Sequence, residues 1–132
     1  MLNRIKSDLS PETEMLVTRT IDCAARVHAE MGPGYLEGIY QDAMCVELHL
    51  EGLSFECEKV VTVHYRGRQL RGQKLDLVVG NEVIVELKAV SRLDPIGHAQ
   101  ILSYLKSTGL RVGLLMNFHE LVFRMGVKRF VL

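Results

Sequence analysis

Net charge, cysteine and proline are all scarce in this sequence. Its 16 Lys and Arg balance 16 Asp and Glu, so the formal charge is zero. That removes the simplest argument for nucleic-acid binding, a strongly basic chain, and any such claim must rest on local chemistry. The three cysteines, Cys23, Cys45 and Cys57, are odd in number and include no C-x-x-C pair. This excludes a disulfide framework and a zinc ribbon and points to reduced, mostly buried thiols. Only 3 prolines, against 48% hydrophobic and 24% charged residues, exclude a disordered, collagen-like or low-complexity chain. No apolar run approaches the ~20 residues of a membrane span. The segment from Met1 to Asp8 lacks the apolar stretch of a signal peptide. The expectation is a cytoplasmic protein that engages no membrane. The five histidines form no H-x-x-x-H or H-E-x-x-H pair, and the glycines form neither a P-loop nor a dinucleotide fingerprint.

What is present reads as one domain over 1–132, with 1–10 a loosely ordered N-terminal segment. Ser10-Pro11-Glu12 supplies an N-cap, a first-turn proline and a dipole-matched acid. A helix follows to about Glu30, with a stripe of Val17, Ile21, Ala24, His28 and Met31; His28 is expected as a hydrogen-bonded core residue. A second helix runs from about Leu36 to Glu51, its core face assigned to Leu36, Ile39, Ala43, Val46 and Leu50. The period then changes to two. Strands are expected around Val61–Tyr65, Gln69–Val79 and Val83–Val90, with a turn at Arg66-Gly67-Arg68. Asp94-Pro95 opens a third helix that Gly109 closes. A strand over Arg111–Asn117 and two short strands, Leu121–Arg124 and Val127–Val131, finish the chain. The β-α-β unit around the third helix makes its two strands parallel. The fold class is α/β (α+β), a mixed sheet flanked by helices.

The hairpin from Lys74 to Lys88 is the most informative segment. A three-residue loop, Gly80-Asn81-Glu82, brings the two apolar sets to one face, with Leu75 opposite Leu87 and Leu77 opposite Val85. Asp76 then opposes Glu86, with Lys88 two residues along. Directly opposed like charges destabilise a sheet. Either the face is solvated and Lys88 partly neutralises it, or the acids share a proton or a divalent cation. In the second case Asp76 and Glu86 hold Mg2+, which polarises a phosphate and activates a water. Lys88 then orients that water or stabilises developing charge. Gln100 and Tyr104, one turn apart on the third helix, mark a boundary of its apolar stripe or donate to a phosphate. Glu37, in the first turn of the second helix, is a dipole-matching surface acid or a third carboxylate aimed at the metal.

Taken together, Gly34-x-x-Glu37-x-x-Tyr40, the Asp76 strand, Glu86-Leu87-Lys88 and Gln100-Ile101-Leu102-Ser103-Tyr104 resemble the GxxExxY family of the PD-(D/E)XK nuclease superfamily. The strand end Gly113–Phe118 extends the likeness, which covers roughly residues 13 to 132. The resemblance implies a single-domain, restriction-endonuclease-like αβββαβ core. It makes Asp76 and Glu86 metal ligands, Lys88 the catalytic lysine and Glu37 the helix glutamate that completes the acidic site. Gln100 and Tyr104 match the Q-x-x-x-Y motif of RecB-like nucleases. Leu75 stands where the motif's name has proline.

The implied function is a Mg2+-dependent nuclease, with Mn2+ as a substitute and DNA, or else RNA, as partner. The alternative is a non-catalytic nucleic-acid-binding or protein-assembly module on the same fold. A homodimer or partner protein would enlarge the surface of so small a chain. The zero net charge also hides an asymmetry: residues 1–58 carry −7 and residues 59–132 carry +7. Arg66, Arg68, Arg71 and Lys74, in a stretch without acids, and Lys106 on the third helix are the candidate nucleic-acid contacts.

Overall fold

The computed structural model describes residues 8–132. Two helices come first, α1 (Pro11–Met31) and α2 (Glu37–Leu50). Strand β1 (Phe55–Val61) and a small hairpin, β2 (His64–Tyr65) and β3 (Arg68–Gln69), follow. Then come β4 (Gln73–Val79), β5 (Val83–Lys88), α3 (Ile96–Thr108), β6 (Val112–Asn117) and β7 (Val127–Val131). The main sheet has the order β1-β4-β5-β6-β7. Only β5 and β6 run parallel, as a helical crossover between them requires. The expected αβββαβ core is therefore present, with β2 and β3 as an insert between β1 and β4.

Local chemistry sets most boundaries. Ser10 Oγ accepts from Thr13 N and caps α1, and Asp94 Oδ1 accepts from Ile96 N at the start of α3. Gly109, left-handed at φ 74°, ends α3. Gly80 and Asn81 both take φ 57° in the β4–β5 turn, and Leu77 pairs with Val85 as the loop length demands. His28 is buried and its Nε2 lies 2.6 Å from the Glu120 carbonyl. Of the expected loose segment, residues 1–7 lie outside the described residues; Leu9 is buried against the core.

Four expectations are corrected. The assigned core face of α2 is largely solvent-facing: Leu36, Ile39, Val46 and Leu50 are exposed, and Tyr40, Met44 and Leu48 are buried. This helix is apolar on two sides, and the stacking of Tyr40 on Phe118, 4.5 Å between ring centroids, selects the side that packs. The first strand begins at Phe55 and ends at Val61, so Val63 and Tyr65 fall outside it. Residues 123–126 form a 3-10 turn rather than a strand. Finally, Cys23 is buried, Cys45 half-buried and Cys57 exposed, so deep burial holds for Cys23 alone.

The sheet separates two apolar layers. Leu77, Val79, Val85, Leu87, Leu114 and Met116 pack under α1 and α2. Leu75, Val78, Ile84 and Leu115 pack under α3 with Ile101, Tyr104 and Leu105. Leu75 thus leaves the face expected to join it to Leu77. The break falls at Asp76: across from it, between the pairs Cys57–Leu77 and Lys59–Leu75, Glu58 sits at φ 52° and is missing from the ladder. A left-handed residue in a strand resets the alternation of side chains on either side of it.

Two glycines test this packing. Gly126→Ala places a methyl group against the Asn117 carbonyl oxygen and is expected to cost about 2 kcal/mol in urea unfolding. Gly38→Ala, where nothing stands within 4 Å, is expected to be neutral or stabilising by up to ~1 kcal/mol.

Candidate active site

The site forms where β4 and β5 part. Their ladder runs from Val79–Val83 to Leu77–Val85 and stops there. Asp76 and Glu86, and Leu75 and Leu87, therefore do not pair through their backbones as expected. The Leu87 N–H instead donates to Asp76 Oδ2 at 2.8 Å. A carboxylate has replaced the missing carbonyl acceptor, which keeps a buried donor satisfied. It also draws the Asp76 carboxyl into reach of Glu86.

Glu86 is the most constrained of the acids. It is 6% exposed on a strand paired on both sides. Its Oε2 is buried without a donor, and Lys88 Nζ stands 3.6 Å from Oε1. Burial, then the Asp76 charge, push the Glu86 carboxyl up to about 8, against the pull of Lys88. Asp76 is raised as well, by burial, and held down in part by the Leu87 N–H. A proton shared between the two acids would remove their repulsion.

The flanking helices complete the site from opposite layers. Tyr104 comes from α3 and is 7% exposed; burial and the charges of Glu86 and Asp76 raise its phenol to about 12. It remains a neutral hydrogen-bond donor. Glu37 comes from the first turn of α2. Partial desolvation and the Asp76 charge raise it, and Lys88 lowers it. The surrounding pattern explains its placement. Gly34 takes φ 116° in the turn before α2, and buried Tyr40 donates to the Gly32 carbonyl at 2.6 Å while accepting from Tyr35 N at 3.2 Å. Tyr40 thereby fixes the entry of the helix that carries Glu37.

Other expected residues are placed differently. Gln100 is exposed on α3, and its carbonyl, not its side chain, is engaged, by Ser103 Oγ. Arg66, Arg68 and Arg71 are exposed on and just after the β2–β3 hairpin. Lys74 is ion-paired to Glu58 at 3.7 Å. Lys106 lines a cleft of about 360 Å³ with Thr62, His64, Ser103 and Ser107. Asn117 was missed. It is buried at the end of β6, accepts from Val90 N, and donates to Val90 O at 2.9 Å, so it clamps the chain two residues beyond Lys88. A polar residue closing an apolar strand was the available signal.

The donor set suits a hard cation. Mg2+ is commonly held by one or two carboxylates and keeps several waters, and Asp76 with Glu86, one of whose oxygens is buried without a partner, is such a pair. Among the described residues no three His, Cys, Asp or Glu side chains converge tightly enough to grip an ion. Glu37 stands near enough to Asp76, Glu86 and Lys88 for their charges to act on one another.

A family model of the PD-(D/E)XK nuclease superfamily matches residues 14–130. No curated protein and no solved structure matches the chain.

The raised Glu86 carboxyl makes the metal-free protein sensitive to pH. Below its ordinary value of 4.5 Glu86 is neutral whether folded or not; between 4.5 and about 8 the folded chain keeps a proton that the unfolded chain has lost. Stability in a chelating buffer is therefore expected to fall by a few kcal/mol as pH rises through that window. Glu86→Gln, whose amide can donate to Asp76, should flatten the profile; denaturation midpoints at pH 5 and pH 8 check this.

Proposed function

The chain belongs to the PD-(D/E)XK nuclease superfamily, and on that premise we propose that it is a Mg2+-dependent nuclease hydrolysing phosphodiester bonds in DNA. The observation that carries the reading is the pairing of half-buried Asp76 with buried Glu86, whose Oε2 has no partner and whose Oε1 has Lys88 Nζ at 3.6 Å. The pattern Gly34-x-x-Glu37-x-x-Tyr40 supports membership of the GxxExxY family within it.

Asp76 and Glu86 would hold the ion, with Glu37 adding negative charge from α2. A bound Mg2+ supplies Lewis-acid polarisation of the phosphate and a more acidic water. Lys88 lies beside Glu86, where its ammonium can orient the attacking water and offset charge that builds on the phosphate oxygens. Tyr104 would donate a hydrogen bond to the phosphate and, with its phenol raised, does not ionise in the working range. Gln100, one turn earlier on the exposed side of α3, is a second donor to a phosphate rather than a neighbour of the acids. Arg66, Arg68 and Arg71, together with Lys74 and Lys106, would contact flanking phosphates. Their charges act locally, because the field of an exposed cation fades over ~8 Å at physiological salt.

Purified protein is expected to cut DNA with Mg2+ or Mn2+ and to be silent in a chelator. Asp76→Ala and Lys88→Ala should each lower the rate by about 10²–10³ or more. Cutting of RNA alone would move the substrate assignment. No cutting of single-stranded, duplex or branched DNA or of RNA, despite binding, would leave a binding module on a nuclease fold. In a separate measurement, Mg2+ should raise the Tm of the wild-type protein and leave that of Asp76→Asn unchanged.

A further inference from the structure

Two of the three thiols, twelve positions apart in the sequence, lie on one side of the sheet. Cys57 pairs with Leu77 across β1 and β4, and directly paired residues project to the same face. Leu77 lies in the layer under α1 and α2, so Cys57 points toward the helices. Cys45, on α2, packs half-buried against that same layer. Only residues 51–54 separate the end of α2 from the start of β1, and the short return makes the two thiols neighbours, close enough for Cys57 to act on the Cys45 thiol. Neither belongs to the carboxylate site.

We propose that Cys45 and Cys57 are a redox-active dithiol, which a low-molecular-weight disulfide converts into an intramolecular disulfide tying α2 to β1. The two members have different parts. Cys57 is exposed and meets the oxidant first. Cys45 is held protonated, pushed up to about 11 by burial, by the neighbouring Cys57 and by Asp42 one turn earlier; it resolves the intermediate. The Cys57 thiolate attacks one sulfur of glutathione disulfide, whose S–S bond breaks and releases one glutathione thiolate. Cys45 then gives up its proton and attacks the Cys57 sulfur, expelling the second glutathione. The two thiol protons end on the two glutathiones, which are reduced by the two electrons the protein loses. Cys23 takes no part, because it is fully buried in α1, with Arg26 Nη2 at 3.4 Å from its sulfur.

The test uses the full chain without metal, incubated with glutathione disulfide and mapped by mass under non-reducing conditions. The expected product is a monomer two hydrogens lighter, with Cys45 joined to Cys57, Cys23 free, a Tm several degrees higher, and full reversal by dithiothreitol. Cys45→Ser should stop at a glutathione adduct on Cys57, and Cys23→Ser should behave as wild type. A stable glutathione adduct on wild-type Cys57 beside an unreacted Cys45, or disulfide-linked dimers in place of the monomer, would overturn the proposal. Cleavage activity enters none of these readouts, so the result is independent of the nuclease reading.

Discussion

The bond from the Leu87 N–H to Asp76 Oδ2 is the contact on which the site depends. Beyond Leu77 and Val85 the two central strands no longer share a ladder, and each loses its backbone partner. An open N–H in the middle of a sheet costs about 1–3 kcal/mol if nothing replaces the acceptor. A carboxylate of short reach at position 76 replaces it, and in doing so brings its charge beside Glu86. The sheet gains a satisfied donor and accepts a like-charge pair. That exchange is tolerable because one proton, or one cation, removes the repulsion. The irregularity at Glu58 and the reversal of Leu75 belong to the same event: the strand that supplies Asp76 cannot keep both its regular alternation and this side-chain bond.

Topology brings the remaining groups to the split. Strand β5 stays paired with β6 through Glu86, and the Glu86 side chain is buried. The parallel partner β6 requires a crossover, and the crossover helix carries Tyr104 to one side of the acids. From the opposite layer α2 carries Glu37, its entry fixed by Tyr40, whose hydroxyl is spent on the turn and whose ring is spent on Phe118. Of the residues in the Gly34–Tyr40 pattern, only Glu37 faces the acids. The glycine and the tyrosine are there to hold its helix.

Much of this was legible in the sequence, and the failures share a cause. Turn and cap chemistry acts over a few residues, so Gly80-Asn81, Ser10 and Asp94 gave boundaries close to those observed. The spacing of Asp76, Glu86 and Lys88 gave their proximity. Arguments from alternation failed wherever a strand is not continuous: Leu75 was put on the wrong face, and the Asp76–Glu86 backbone pair does not exist. Periodicity failed on α2, where two apolar faces compete and an aromatic stack with Phe118, distant in sequence, decides between them. Gln100 followed from its spacing to Tyr104, yet a turn of helix separates the buried position from the exposed one. The approach of Cys45 and Cys57 on one face of the sheet and the Asn117 clamp are products of packing, and no local pattern encodes them.

The zero net charge can now be placed in space. Two acids of the first half, Glu47 and Glu51, are answered within the helical layer by Arg19 and Arg26. A few pairs join the halves, such as Arg129 Nη1 with Glu14 at 2.7 Å and Lys74 with Glu58. Arg68 and Arg71 have no ion-pair partner among the described residues and stand exposed. Attraction between the halves therefore uses up part of the asymmetry and leaves a basic remainder around the β2–β3 hairpin. Exposed pairs of this kind contribute only about 0–1 kcal/mol each to stability, so the separation of charge is not what holds the fold together. Its consequence is a local field. A polyanion is repelled by the bare Asp76–Glu86 pair and attracted by the hairpin, and the balance turns on what occupies the space between the two carboxylates. A proton there cancels one charge, whereas a divalent cation, if bound, would cancel both.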